Sequence, residues 1–128
     1  MVMTWYNKYI EKIKSCLLNA LLVCSLLVFF IAMFGKYRPT IIMSDSMYPV
    51  LKTGQVKIAE KVSSDDIISI GDVYMYQSPE KDYTITHRCI GINGAGDYIF
   101  KGDNNEHEDK AAVKRSWIRY RLVSVDSL

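Results

Sequence analysis

From Cys16 to Gly35 the chain reads CLLNALLVCSLLVFFIAMFG, twenty residues with no charge and only Asn19 and Ser25 as clearly polar side chains. At about 1.5 Å per residue, a helix of that length is roughly 30 Å long, the hydrocarbon thickness of a bilayer. A core helix would carry a polar face, and this run has none. A cleaved leader has an apolar stretch of about 7 to 15 residues followed by small residues. Here FFIAMFGKY is bulky where small residues belong. The run is therefore read as a retained transmembrane helix over 16–35, with a short N-terminal segment 1–15 before it and one domain, 36–128, after it.

Charge is partitioned along the chain. Residues 1–38 carry five Lys/Arg against one Glu, and residues 39–128 carry eleven against thirteen acids. The anchor is basic and the domain close to neutral, so neither leaves a footprint for nucleic acid. Lys8, Lys12 and Lys14 precede the apolar run and Lys36 and Arg38 follow it, which by one residue favours a cytoplasmic N-terminus. Trp5, Tyr6, Tyr9 and Tyr37 flank the run as an interfacial belt would. Cys16 and Cys24 lie within the run and Cys89 stands alone in the domain, so no disulfide framework is available and the fold rests on its core.

Past Pro39 the pattern changes to short alternating runs rich in β-branched and aromatic residues. Val56–Glu60, Val73–Gln77, Tyr83–Ile92, Tyr98–Lys101 and Trp117–Val125 read as strands. Thr53-Gly54, Gly71-Asp72, Ser78-Pro79, Asn93-Gly94-Ala95-Gly96 and Gly102-Asp103-Asn104-Asn105 read as the turns between them, with NGAG a hairpin signal. No long helix is expected after residue 40. The fold class is mainly β: a small antiparallel β-domain behind one N-terminal transmembrane helix.

A serine hydroxyl is a poor nucleophile near neutrality unless a neighbouring base takes its proton. Ser44 and Ser46 flank Asp45 in MSDSMYPVL, just before Met47 and Pro49; alone, this stretch is an ordinary polar turn. Only two histidines exist, His87 within an alternating strand and His107 in a loop. A strand histidine is often a half-buried polar group, but histidine is also the side chain that accepts and returns protons near neutral pH. The loop GDNNEHED offers Asp103, Glu106, Glu108 and Asp109 as groups able to orient an imidazole, or is simply a solvated loop. Asp103 follows a glycine and precedes two asparagines, a tight-turn composition, whereas Asp109 lies where no turn requires it. Asp109 is therefore favoured as the imidazole's partner, with Asp103 fixing the loop. A Cys89–His87 pair on one strand face is disfavoured by the apolar run around the thiol, and His107 with its acidic neighbours points apart, so no metal and no cofactor is expected.

The ordered stretches SDSMYPVL, IGDVYMY, ITHRCIGI and FKGDNNEHED resemble the boxes of type I signal peptidases, specifically the Ser-His branch found in the endoplasmic-reticulum complex, archaea and spore-forming bacteria. The resemblance spans roughly residues 10 to 110. It implies Ser46 as nucleophile and Ser44 as the hydroxyl that helps the Ser46 backbone N–H hold the oxyanion. It implies His87, in THR, as the base where another branch has lysine, and Asp103 and Asp109 as two family aspartates, the second the usual triad candidate. Two positions depart from the pattern. Asp45 stands where glycine is common, and a carboxylate beside an oxyanion is unfavourable unless it points away, so it is expected to face solvent. Tyr120 stands where a glycine often follows the last acidic region, an expected change of strand packing.

The resemblance further implies a membrane-bound serine endopeptidase removing signal peptides after an Ala-x-Ala pattern. Its partners would be signal-bearing precursors, the lipid bilayer and possible accessory membrane subunits. The domain would face the extracytoplasmic or lumenal side, with the plasma membrane favoured over the endoplasmic reticulum. Ser46 lies 11 residues past Gly35, a reach of at most roughly 35 to 40 Å, so the nucleophile is expected near the bilayer surface. The alternative is a non-catalytic, membrane-tethered β-domain that binds a partner, to which Ser46 would be immaterial.

Overall fold

The computed structural model describes residues 1–125; the last three residues of the expected domain, 126–128, lie outside the described residues. The chain divides into two compact units, Met1–Gly35 and residues 36–128. The first is one helix, α1 (Val2–Phe34), and it has no buried residue. Sequence reading began the helix at residue 16, but the preceding turns are helical too. Glu11, Lys12 and Lys14 are good helix formers, and Lys14 pairs with Glu11 at 2.9 Å across one turn. The apolar run fixed where a bilayer could sit, not where helical hydrogen bonding starts. The helix stops at Gly35, which is extended (φ −70°, ψ 159°) with its N–H on the Ile31 carbonyl at 2.6 Å. A Cβ there would meet the Ile31 oxygen at 2.1 Å, so only glycine makes this exit. Among the described residues α1 is the one helix long and apolar enough to cross a membrane.

The second unit is a six-stranded antiparallel sheet of β1 (Tyr37–Ile41), β2 (Val56–Lys61), β3 (Val73–Gln77), β4 (Thr84–Ile92), β5 (Tyr98–Lys101) and β6 (Ile118–Leu122), in the order β1-β2-β6-β3-β4-β5. The five expected strands are present, Val73–Gln77 and Tyr98–Lys101 with the expected ends and the other three with shifted ones. Tyr83 stands outside β4, where its carbonyl accepts from Ser78 N–H at 3.2 Å and closes the β3–β4 loop, and Trp117 ends a short 3-10 turn before β6. β1 was not anticipated: Pro39 sits at its centre, a residue confined to edge strands, and β1 is an edge. NGAG does turn β4 into β5. Gly96 is left-handed at φ 83°, and Asn93 Oδ1 accepts from the N–H groups of Ala95 and Asp97 at 3.0 and 2.9 Å.

Alternation along β3 sends successive side chains to two cores. Tyr74 and Tyr76 join Cys89, Phe100, Ile118, Ile68 and Val113 in one. Val73 joins Ala59, Leu122, Ile42, Met47 and Leu51 in the other, with Met75 packed against it. Each fully buried Leu or Met contributes about 1.5 to 3 kcal/mol. Register shifts between Met75 and Tyr76, and between Cys89 and Gly91, bend the sheet at those points.

Candidate active site

The turn carrying Ser46 is held from below. Met47 and Leu51 are buried in the second core, and Leu51 N–H reaches the Met47 carbonyl at 2.9 Å. It is held from the side by the loop after β5. Asn104 N–H donates to the Ser46 carbonyl at 2.8 Å, Asn104 Nδ2 donates to the Asp45 carbonyl at 3.0 Å, and Asp103 N–H meets Met47 Sδ at 3.4 Å. The two backbones approach so closely at Gly102 that an added Cβ would meet the Ser46 oxygen at 2.6 Å. Fixed in this way, Ser46 is partly exposed, and its Oγ lies 3.1 Å from Ser44 Oγ.

Asp45 is exposed and not left-handed, since Ser124 alone among the described non-glycine residues has a positive φ. Its carboxylate is not merely in solvent: Oδ1 accepts from Thr53 Oγ1 at 2.7 Å and from Thr53 N–H at 3.4 Å. That bond turns the carboxylate toward Thr53. The second departure, Tyr120, accepts a hydrogen bond from Arg38 at 3.0 Å and lies beneath its guanidinium, which ties β6 to β1.

His87 sits in β4, 8% exposed, with Nδ1 2.9 and 2.7 Å from the two oxygens of Asp109. Backbone placement of Asp109 comes from its N–H on the Phe100 carbonyl at 2.8 Å. The next residue, Arg88, points to the opposite face of the strand and grips Asp103 with Nε and one terminal nitrogen at 2.9 and 2.7 Å, while another donates to the Gly71 carbonyl at 2.6 Å. Asp103 therefore lies on an arginine and Asp109 on the imidazole. Glu106, His107 and Glu108 are exposed.

Ser44, Ser46, His87 and Asp109 line one cleft of about 810 Å³. The carboxylate on Nδ1 sets which ring nitrogen carries the proton, leaving Nε2 as the basic side of the ring. Tyr76, read from sequence only as a strand residue, is buried and donates its phenol to Asp109 Oδ2 at 2.5 Å. Burial, and then the bond to Asp109, push its pKa well above the ordinary tyrosine value, so the phenol is a donor throughout the neutral range. Burial likewise pushes the Cys89 thiol up, away from the thiolate a Cys-His pair would need. Among the described residues no three His, Cys, Asp or Glu side chains converge as a metal site.

The residues that sequence reasoning missed, Tyr76, Arg88 and Asn104, act through contacts across 15 to 59 positions. Only Arg88 had a local signal, its place beside His87 in THR.

No protein-family model matches the chain. Signal peptidase I W of Bacillus subtilis (strain 168) is 31% identical to it over 91 residues, covering 69% of this chain and 47% of that protein. The signal peptidase complex catalytic subunit SEC11 of Plasmodium falciparum (isolate 3D7) is 33% identical over 107 residues, covering 80% and 55%. The human subunit SEC11C is 28% identical over 100 residues, covering 73% and 52%. The chain thus spans about half the length of these curated relatives.

Proposed function

The chain belongs to the type I signal peptidase family, and on that premise we propose that it is a serine endopeptidase in which Ser46, His87 and Asp109 act as nucleophile, base and orienting carboxylate. The observation that carries this reading is the two-oxygen contact of Asp109 with His87 Nδ1 in the cleft that Ser46 shares. Ser46 Oγ attacks the scissile carbonyl while Nε2 of His87 takes its proton, and Asp109 stabilises the imidazolium. The carbonyl oxygen becomes an oxyanion that accepts from the Ser46 backbone N–H and from the Ser44 hydroxyl, which turns from its bond with Ser46 to donate. Collapse expels the amine, which takes the proton from Nε2. A water then attacks the acyl-enzyme by the same route in reverse and frees Ser46.

Substrates in this reading are secreted precursors whose signal helix lies in the membrane and which are cut after Ala-x-Ala. The helix α1 spans the bilayer once and confines the enzyme to the plane of its substrate, raising effective concentration without altering the chemistry. The sheet domain lies on the extracytoplasmic face, in the plasma membrane, with accessory membrane subunits as further partners. Asp103 serves the loop rather than the proton transfer.

The test is cleavage of a signal-bearing precursor by the full chain in liposomes, followed by sequencing of the new N-terminus. A single cut after a small residue, lost in Ser46→Ala, is expected. Uncut precursor, or equal cutting by Ser46→Ala, would sink the reading and leave the partner-binding alternative.

A further inference from the structure

The Oδ2 atom of Asp109 is shared. It accepts from His87 Nδ1 at 2.7 Å and from the Tyr76 phenol at 2.5 Å. Both donors are buried, His87 at 8% and Tyr76 at 1% exposure. We infer that Tyr76 is a positioning residue that fixes the carboxylate of Asp109 in the plane the imidazole requires, and thereby holds the ring toward Ser46. The inference rests on the proposed hydrolytic role of the site.

Geometry supports this beyond the hydrogen bond. A carboxylate on a surface loop has a freely turning terminal torsion, and Asp109 is reached through a loop of largely exposed residues. Two references immobilise it. Its N–H is on the Phe100 carbonyl at 2.8 Å, and its Oδ2 is on Tyr76. Phe100 also packs its ring on Tyr76, centroids 4.8 Å apart and planes at 37°, so one fully buried residue sets the height of both partners. The register shift in the β3–β6 pairing falls between Met75 and Tyr76, where an irregularity can re-aim a side chain. A phenylalanine would fill the same core space. The hydroxyl is needed only for Asp109.

The experiment uses the full chain in detergent micelles with ¹⁵N-labelled histidine, following the His87 Nδ1–H resonance at fixed pH; His107→Gln assigns the two histidines. In Tyr76→Phe the resonance should change position or lose intensity to water exchange, because the carboxylate can now turn. With a cleavable precursor, kcat should fall about tenfold at unchanged KM, the size of one charge-assisted hydrogen bond. Global replacement of tyrosine by 3-fluorotyrosine acidifies the phenols while keeping each hydroxyl, and Tyr74→Phe in the same background removes the one other buried phenol on His87's pairing strand. The fluorinated chain gives a second arm should Tyr76→Phe fold poorly, and it too should move the His87 resonance. An unchanged resonance overturns the inference whatever the rate, and so does a changed resonance at full wild-type kcat. If the wild type cuts nothing, the proposed function fails, and the resonance alone decides whether Tyr76 positions Asp109.

Discussion

His87 and Arg88 are consecutive residues of one strand, and each holds a different aspartate on a different face of the sheet: His87 takes Asp109 at 2.7 Å and Arg88 takes Asp103 at 2.7 Å. The two-residue period of a strand makes this division unavoidable, since neighbours cannot face the same way. One carboxylate is thereby delivered to the cleft and the other to the structural side of the loop.

The sharpest consequence concerns those two aspartates. Asp109→Asn should keep its melting temperature and lose about 10⁴ in kcat, because the imidazole loses the partner that selects its tautomer. Asp103→Asn removes a carboxylate that takes two hydrogen bonds from Arg88, whose side chain is only 2% exposed, and should cost about 1 to 3 kcal/mol of stability. Thermal melts and cleavage rates of both variants decide it. A stable, inactive Asp103→Asn beside an active Asp109→Asn would reverse the roles.

Truncating the two serines should have unequal effects. If Ser46 is the nucleophile proposed above, Ser46→Ala abolishes cleavage in a folded protein. Ser44→Ala, losing the proposed oxyanion donor, should lower kcat by about 10- to 1,000-fold. Single-turnover rates of the two variants check this ordering.

Gly102→Ala should be costly although alanine is small. Its Cβ would lie 2.6 Å from the Ser46 carbonyl oxygen and 2.7 Å from Asn105 Nδ2, so the loop must retreat from the serine turn. A stability loss of about 1 to 3 kcal/mol is expected, with a larger proportional loss of cleavage. Chemical denaturation alongside kcat/KM would show it, and wild-type values for both would refute the close approach.

Acid should weaken the sheet edge. Hydrogen bonds from Lys36 and then Arg121 lower the Glu60 carboxyl from 4.5 to about 2. A folded pKa below the unfolded one contributes stability above about pH 4.5, and that stability is lost as pH falls from 4.5 toward 2. Because Lys36 and Arg121 are 59% and 45% exposed, solvent screening limits the effect to about 1 kcal/mol. Melting temperatures across this range should show a shallower acid limb in Glu60→Gln than in wild type.

Most strands were legible because β-branched and aromatic residues alternate between glycine- and asparagine-bearing turns. β1 was not, because Pro39 reads as a break unless the strand is known to be an edge. Ser46, His87 and Asp109 could be nominated from the order of four short stretches, as chemistry-bearing residues sit in recognisable local surroundings. Tyr76 could not, for its phenol has meaning only once Asp109, 33 positions later, has been folded beside it. Asp45 is intermediate: its exposure was foreseeable, its bond to Thr53 was not, since that contact depends on how the intervening turn closes.

The loop from Gly102 to Asp109 grips the serine turn at one end, through Asn104 on the carbonyls of residues 45 and 46, and the histidine at the other. One short span thus fixes both the height of Ser46 and the position of the carboxylate on His87, so in the proposed mechanism the spacing of nucleophile and base depends on this loop more than on the strands that flank it.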